Sequence, residues 1–231
     1  MPSPGDVISY TDMCQSERTS LQKGMNFRHG PEPSVILMSR RRDAPYEDQI
    51  DENGRVLIYE GHDVPRSPGG PNPKAVDQSE KTPAGKPTEN GKFLQAAEQF
   101  KQGVAPALRV RVYEKIHRGI WSYNGLFELI DAQLEQRGSR RVFKFRLRLN
   151  ESATTNPEYS ANDLPQRRLI PTHVKLEVWK RDKGRCVKCG KTDQLHFDHD
   201  YPFSKGGTSI SAENIQLLCM RHNLEKSAKI E

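Results

Sequence analysis

Between residues 108 and 149, apolar and charged positions alternate in two separate stretches. In "LRVRVYEKI", 108–116, Leu108, Val110 and Val112 oppose Arg109 and Arg111. In "RVFKFRLRL", 141–149, Phe143, Phe145, Leu147 and Leu149 oppose Lys144, Arg146 and Arg148. A period of two predicts two half-buried strands. Arg137, Arg140, Arg141, Lys144, Arg146 and Arg148 run along the second strand and its preceding turn with no acid between them. They form either a solvated sheet face or a stripe that faces phosphate.

The period changes elsewhere. In "GKFLQAAEQFKQG", 91–103, Phe93, Leu94, Ala97 and Phe100 fall on one helical face, and Gly103 ends the helix. "PTHVKLEVWKRDKG", 171–184, predicts a second helix, with Pro171 near its start and Gly184 at its end. "RVLIYEG", 55–61, is a short apolar run that stops at glycine. The Pro/Gly-rich segment 66–91 reads as loop, and its length favours a functional one. The polar run 150–166 carries two prolines and no apolar pattern, so the domain boundary is placed there. This gives a loosely packed extension over 1–33, a first domain over 34–149, a linker over 150–166 and a second domain over 167–231.

The chain has 231 residues, of which 34% are hydrophobic and 29% charged. That is polar for a folded protein, yet 8 Phe, 7 Tyr and 2 Trp supply a core. No stretch is apolar enough to span a membrane and the start lacks a secretory core, so a cytoplasmic protein without membrane contact is expected. Net charge is +6. Residues 166–231 hold 13 Lys/Arg against 8 Asp/Glu, and residues 1–165 hold 23 against 22, so the excess lies in the second domain. That suits a polyanionic partner.

Cys186-x2-Cys189 and Cys219-x2-His222 are separated by 29 residues. Three thiolates and one imidazole on two tight knuckles suit a closed tetrahedral site for structural Zn2+. Such a clamp explains how a module with a small core can fold. Cys14 stands alone and reads as inert. The dense polar cluster in "LHFDHDYPFSKGG", 195–207, is not needed by the zinc and requires its own account.

Asp198-His199, Pro202, Ser204, Gly206-Gly207, Asn214, Cys219 and Asn223 together resemble the HNH (ββα-metal) nuclease family over 171–231. The resemblance implies a zinc-stapled hairpin followed by a helix. It implies that Asp198 and Asn223 hold a catalytic Mg2+ or Mn2+, that His199 is the general base, and that Asn214 braces the loop orienting His199. Many family members carry His where this chain has Asn223. The residue types fit: a neutral imidazole takes a proton near pH 7, and a carboxylate with an amide oxygen holds a hard cation. Strict alternation places Asp198 and His199 on opposite strand faces, so the strand is expected to end or twist at 198–199. His196 and Asp200 then read as polar strand-edge residues.

"PYEDQIDENGRVLIYEGHD", 45–63, with 111–149, resembles the SRA (YDG) family, whose members read 5-modified cytosine by flipping the base into a pocket. The signature Tyr-Asp-Gly stands here as Tyr123-Asn124-Gly125. The resemblance implies a twisted β-barrel with helices, with Tyr46 and Tyr59 sandwiching the base; the alternative for each tyrosine is core packing. The pocket carboxylate maps to Asp48 or Gln49, and Asp48 is preferred because a carboxylate accepts more strongly from the cytosine amino group. The expected chain is thus α+β: an SRA-like barrel followed by a zinc-stapled HNH domain. It would act on double-stranded DNA containing 5-methyl- or 5-hydroxymethylcytosine, with a homodimer or two binding events for a double-strand break. The alternatives are an HNH nicking or homing nuclease indifferent to modification, and a non-catalytic reader.

Overall fold

The computed structural model describes residues 2–51, 54–150, 169–201 and 207–226. The first elements are β1 (Asp6–Ser9) and α1 (Tyr10–Ser16), whose N-terminus is capped by the Ser9 hydroxyl accepting from Asp12 N. β2 (Met25–Asn26), β3 (Ser34–Met38), β4 (Gln49–Ile50) and β5 (Val56–Glu60) follow. α2 (Glu89–Lys101) starts where the Thr88 hydroxyl accepts from Gly91 N, and it buries Phe93 and Ala97. β6 (Leu108–His117), β7 (Ile120–Arg137) and β8 (Arg140–Leu149) are joined by two tight turns. Gly119 and Gly138 sit in them at φ 74° and 59°, where a Cβ would be strained.

The sheet runs β2-β3-β6-β7, with β3 and β6 parallel, and branches at the long strand β7. One edge of β7 pairs with β6. The other pairs with β8 over 127–137, and β8 carries β5 and β4. Met25 of β2 and Leu57 and Tyr59 of β5 belong to one buried cluster with Phe93, Val110, Phe127 and Phe145. Strands far apart in pairing order therefore curl around a shared core plugged by α2, as the barrel expectation requires.

The sequence pattern announces β6 and β8 but not β7. "FELIDAQLEQR", 127–137, is rich in residues that favour helices. Pairing with β8 along 127–137, joined by β6 over 127–129, overrides that preference. Most of the basic stripe of β8 is paired with acids. Arg137 and Lys144 pair with Glu60, Arg140 with Asp63, Arg141 with Asp77 and Arg148 with Glu128. The acids come from other strands and loops, so a local reading of the strand misses them.

The C-terminal part contains α3 (Thr172–Arg181), β9 (Leu195–His199), β10 (Ile215–Cys219) and α4 (Met220–Lys226). β9 and β10 pair antiparallel, and their apolar side buries Leu195, Phe197, Ile215 and Leu217 with Val174 and Val178 of α3.

The beginning of the chain differs from the loosely packed extension expected over 1–33. β1 pairs with β7 on one side, Val7 opposite Ser122, and with β9 on the other, Asp6 opposite His196. It makes the two sheets one, in the order β10-β9-β1-β7-β6-β3-β2. Glu17 is buried, accepting from Arg28 and Arg111 at 2.8 Å each and from Tyr113 Oη at 2.6 Å. Arg111, Tyr113 and the strands that flank β1 are distant in sequence, which is why no local periodicity signals this segment. The linker expected over 150–166 lies, beyond Asn150, outside the described residues. Among the described residues no helix is long and apolar enough to cross a membrane.

Candidate functional sites

The four zinc-type ligands meet. Cys186 Sγ lies 3.3 Å and Cys219 Sγ 3.4 Å from His222 Nδ1, and Cys189 Sγ lies 3.8 Å from Cys219 Sγ. All four ligand atoms fall within 4.8 Å of one another. Zn–S bonds of about 2.3 Å give a tetrahedron with edges of about 3.8 Å, and a shorter Zn–N bond shortens its edges. The donor set and spacing therefore fit a closed four-coordinate ion held through Nδ1. His222 Nε2 faces Glu225 Oε2 at 3.8 Å, a carboxylate placed to orient the ring. Burial pushes the Cys186 thiol up, but amides of the knuckles and His222 outweigh it and hold it at about 6, favouring the thiolate.

The Asp198-His199 pair sits at the end of β9, as the sequence required. The strand stops there because Asn214 takes over the backbone: Asp200 N donates to Asn214 O at 2.7 Å and Tyr201 N to Asn214 Oδ1 at 2.7 Å. Asn214 Nδ2 donates to Tyr201 O at 3.2 Å and Thr208 O at 2.9 Å, closing both sides of the loop. A Cβ on Gly207 would lie 2.0 Å from Tyr201 O, so only glycine fits this approach. His199 is half-buried, with Nε2 2.8 Å from Ser209 Oγ. Burial lowers its pKa to about 4, against the opposing charge of Asp198. The imidazole is therefore neutral at physiological pH.

Two partners of this site were not foreseen. Lys226 of α4 is 1% exposed, and its Nζ donates to Asp198 Oδ2 at 2.6 Å and to His199 O. Asn223 lies one helical turn earlier on the face that carries Lys226. No described residue bonds Asp198 Oδ1. A carboxylate oxygen and an amide on neighbouring elements suit a hard divalent cation. Ser209 lies just past the stretch 195–207 and gave no signal of its own. His196 pairs with Asp6 at 2.9 Å and Asp200 accepts from Gln216 at 3.1 Å, so both are tied into the sheet.

A second site opens in the N-terminal part. A cavity of about 1400 Å3 is lined by Tyr46, Asp48, Tyr59, His62, Lys115 and Trp121, and the segment 64–87 supplies one wall. Asp48 is 8% exposed, accepting from Ser39 N at 3.0 Å and Glu60 N at 3.2 Å, whereas Gln49 is exposed on β4. Burial raises Asp48 to about 7, opposed by those two amides. Tyr59 is fully buried, and burial also pushes its hydroxyl well above the usual range.

The two tyrosines converge on a residue the sequence did not single out. The His62 ring lies 6.0 Å from Tyr46 at 25° and 6.5 Å from Tyr59 at 60°. His62 Nε2 lies 3.4 Å from Tyr59 Oη, and burial holds the imidazole neutral with a pKa of about 4. Its backbone is clamped by Asn90, which accepts from His62 N at 2.9 Å and donates to His62 O at 2.8 Å. Lys74 Nζ covers Tyr46, 4.1 Å from the ring centre. A Cβ on Gly24 would come within 2.5 Å of Tyr59 Oη, so glycine is needed where that hydroxyl packs. A planar ring contacting two others at about 3.5 Å each needs about 7 Å between them. The Tyr46–His62 separation is about 1 Å less than this.

Residues 186–229 match the family model of HNH endonucleases. No curated protein matches the chain. Among solved structures, the chain is similar to the SUVH5 SRA domain in complex with hemi-methylated CG DNA, with 20% identity over 68% of this chain and 94% of that one and a TM-score of 0.46. The SUVH5 SRA complex with methylated CHH DNA gives 22% identity, 64% and 88% coverage and a TM-score of 0.43. Arabidopsis thaliana SUVH6 in complex with SAM gives 21% identity, 64% and 25% coverage and a TM-score of 0.40.

Proposed function

We propose that this chain, whose residues 186–229 are an HNH endonuclease domain, is a DNA endonuclease that acts on duplexes containing 5-modified cytosine. The observation that carries the modified-base reading is the cavity lined together by Tyr46, Tyr59, His62 and the buried Asp48. Unstacking a base costs a few kcal/mol, offset by aromatic contact and hydrogen bonds to its Watson–Crick edge. Tyr46 supplies a stacking face once Lys74 or His62 yields. Tyr59 closes the inner wall. Asp48 accepts from the exocyclic amino group, and its two amide partners hold it in that orientation. Both 5-methyl- and 5-hydroxymethylcytosine carry this edge.

The HNH domain hydrolyses the phosphodiester. His199, neutral at working pH, takes the proton from the attacking water, and Ser209 fixes the ring. Water oxygen bonds to phosphorus and the bond to the 3′ oxygen breaks, leaving a 5′-phosphate and a 3′-hydroxyl. Asn214 holds the loop that sets His199. A divalent cation, Mg2+ or Mn2+, held by Asp198 and Asn223 would neutralise charge on the phosphate and the departing oxygen. Zn2+ at Cys186, Cys189, Cys219 and His222 is structural. One such site cuts one strand, so a double-strand break takes a second copy or a second binding event.

The test is cleavage of matched duplexes carrying cytosine, 5-methylcytosine or 5-hydroxymethylcytosine. Faster cutting of a modified duplex is expected. Equal rates would remove the modified-base reading and leave a nuclease indifferent to modification. No cutting with either cation would leave a reader.

A further inference from the structure

The nuclease domain is joined to the cavity-bearing domain by a buried polar cluster that neither site uses. Glu114 of β6 is 0% exposed and Lys175 of α3 is 1% exposed. Lys175 Nζ donates to Glu114 Oε2 at 2.9 Å and to Asn124 Oδ1 at 2.5 Å. Asn124 Nδ2 donates to Glu114 Oε2 at 3.1 Å, and the Thr172 hydroxyl donates to Glu114 Oε1. Each carboxylate oxygen is satisfied, which buried charges require. Asn124 is the central residue of Tyr123-Asn124-Gly125. Its amide both donates and accepts, so it joins the acid of one domain to the base of the other.

Three further contacts cross the same boundary. β1 pairs with β7 and β9 at once. Ile116 of β6 packs in the apolar cluster of the nuclease domain with Val174 and Val178. The His117 and Trp179 rings stack at 6.2 Å. The link to the cavity is short. Lys115 and Trp121 face each other across β6 and β7 and line the cavity, while Glu114 and Ile116, of the opposite strand parity, face the nuclease domain. A register shift between Lys115 and His117 brings His117 to the nuclease side as well, so the wall of the reading cavity and the dock of the nuclease share one strand pair.

We infer that Glu114, Asn124, Thr172 and Lys175 are positioning residues that fix the cut at one offset from the modified base. This rests on the modified-base reading for its consequence and on the cluster alone for its cause. A nuclease held only by the covalent connection 151–168 would sample several phosphates and give a ladder of products. A docked one reaches a single phosphate at a fixed offset from the base.

Two measurements test this separately. The first maps products from an end-labelled duplex with one central 5-methylcytosine. The parent should give one dominant cut position. Lys175→Glu, which faces Glu114 with a second carboxylate, should spread the cuts over several phosphates, and the exchange Glu114→Lys with Lys175→Glu should narrow them again. Gly-Ser residues inserted into 151–168 should leave the cut position unchanged. A Lys175→Glu protein that still binds the methylated duplex and retains zinc, yet cuts where the parent does, overturns the inference. So does a parent that prefers methylated DNA but cuts at scattered positions. If Lys175→Glu does not fold, Asn124→Ala with Thr172→Val removes hydrogen bonds and keeps the ion pair, and should broaden the products less.

The second measurement does not depend on modification. Spin labels at Val104→Cys and Ile210→Cys, on a Cys14→Ser background with zinc bound, should give one narrow distance distribution in the parent and a broad one in Lys175→Glu. A broad parent distribution overturns the docking whatever the cleavage assays show, and equal rates on modified and unmodified DNA with a narrow distribution would fault only the modified-base reading.

Discussion

Lys226 Nζ lies 2.6 Å from Asp198 Oδ2. The ammonium is 1% exposed and the carboxylate sits at the end of β9, so a buried cation from α4 holds one oxygen of the acid proposed to bind the catalytic metal. It also bonds His199 O, the backbone of the proposed base. Lys226 thereby fixes the strand end from which Asp198 and His199 diverge.

Replacing Lys226 by methionine keeps most of its packing and removes the charge. Asp198 and the His199 carbonyl then lose a donor in a largely buried place. Destabilisation of about 2 kcal/mol is expected, below the figure for a fully buried pair because Asp198 is partly exposed. Urea unfolding of the zinc-loaded protein measures it. Cleavage should fall with it, and an unchanged midpoint would show that the pair contributes nothing.

His199 titrates near 4 because burial disfavours its charged form. A general base works only when neutral, so the rate falls as pH drops through about 4 and is flat from there to neutrality. The log of kcat against pH, at saturating divalent ion, should show its acid limb near 4. A limb near the ordinary histidine value would mean that the ring is solvated in the working enzyme. His199→Ala should cost about 10²–10⁴-fold in rate.

The zinc cluster predicts one tightly held zinc per chain. Stripping it and restoring only Mg2+ should leave no cleavage, because the knuckles hold the start of α4 and with it Asn223 and Lys226. Adding zinc back should restore activity. Cys186→Ala should behave as the stripped protein does, as read by zinc content and cleavage together. Full activity with Mg2+ alone would separate the knuckles from the catalytic helix.

The nuclease residues were legible because they are close in sequence and their spacing carries chemistry. Cys186 and Cys189 lie in the turn before β9, Asp198 and His199 at the end of β9, Cys219 at the end of β10, and His222 and Asn223 on α4. Asp48 was legible as one of two options, and the proposal of Asp48 is supported by its buried side chain, where Gln49 is exposed. Other features depend on contacts between distant residues. β1 has four residues and no periodicity, yet it joins two sheets. Glu114 and Lys175 are 61 residues apart and look like ordinary surface charges until they meet. His62 follows a glycine that ends an apolar run, and only the curl of the barrel turns its ring toward Tyr46.

Asp48 gives the sharpest test of the cavity. Its carboxyl is raised to about 7 by burial, while Ser39 N and Glu60 N favour the charged form. A buried acid with a raised pKa is protonated below that value and ionised above it. The ionised form is the stronger acceptor for an amino N–H. Affinity for a duplex with 5-methylcytosine should therefore rise with pH through about 7, measured at constant ionic strength with no divalent ion present. Asp48→Asn should abolish this step, since an amide does not titrate, and Asp48→Ala should weaken binding by roughly tenfold or more, as a lost charge-assisted hydrogen bond does. The same ionisation opposes folding: the native state binds the Asp48 proton more tightly than the unfolded chain, so this residue's contribution to stability declines between about pH 4 and pH 7. Binding and stability thus change in opposite directions over one pH range. A methyl-DNA affinity that stays flat across pH 7, in a protein whose stability does fall, would place Asp48 in the core and outside the base contact.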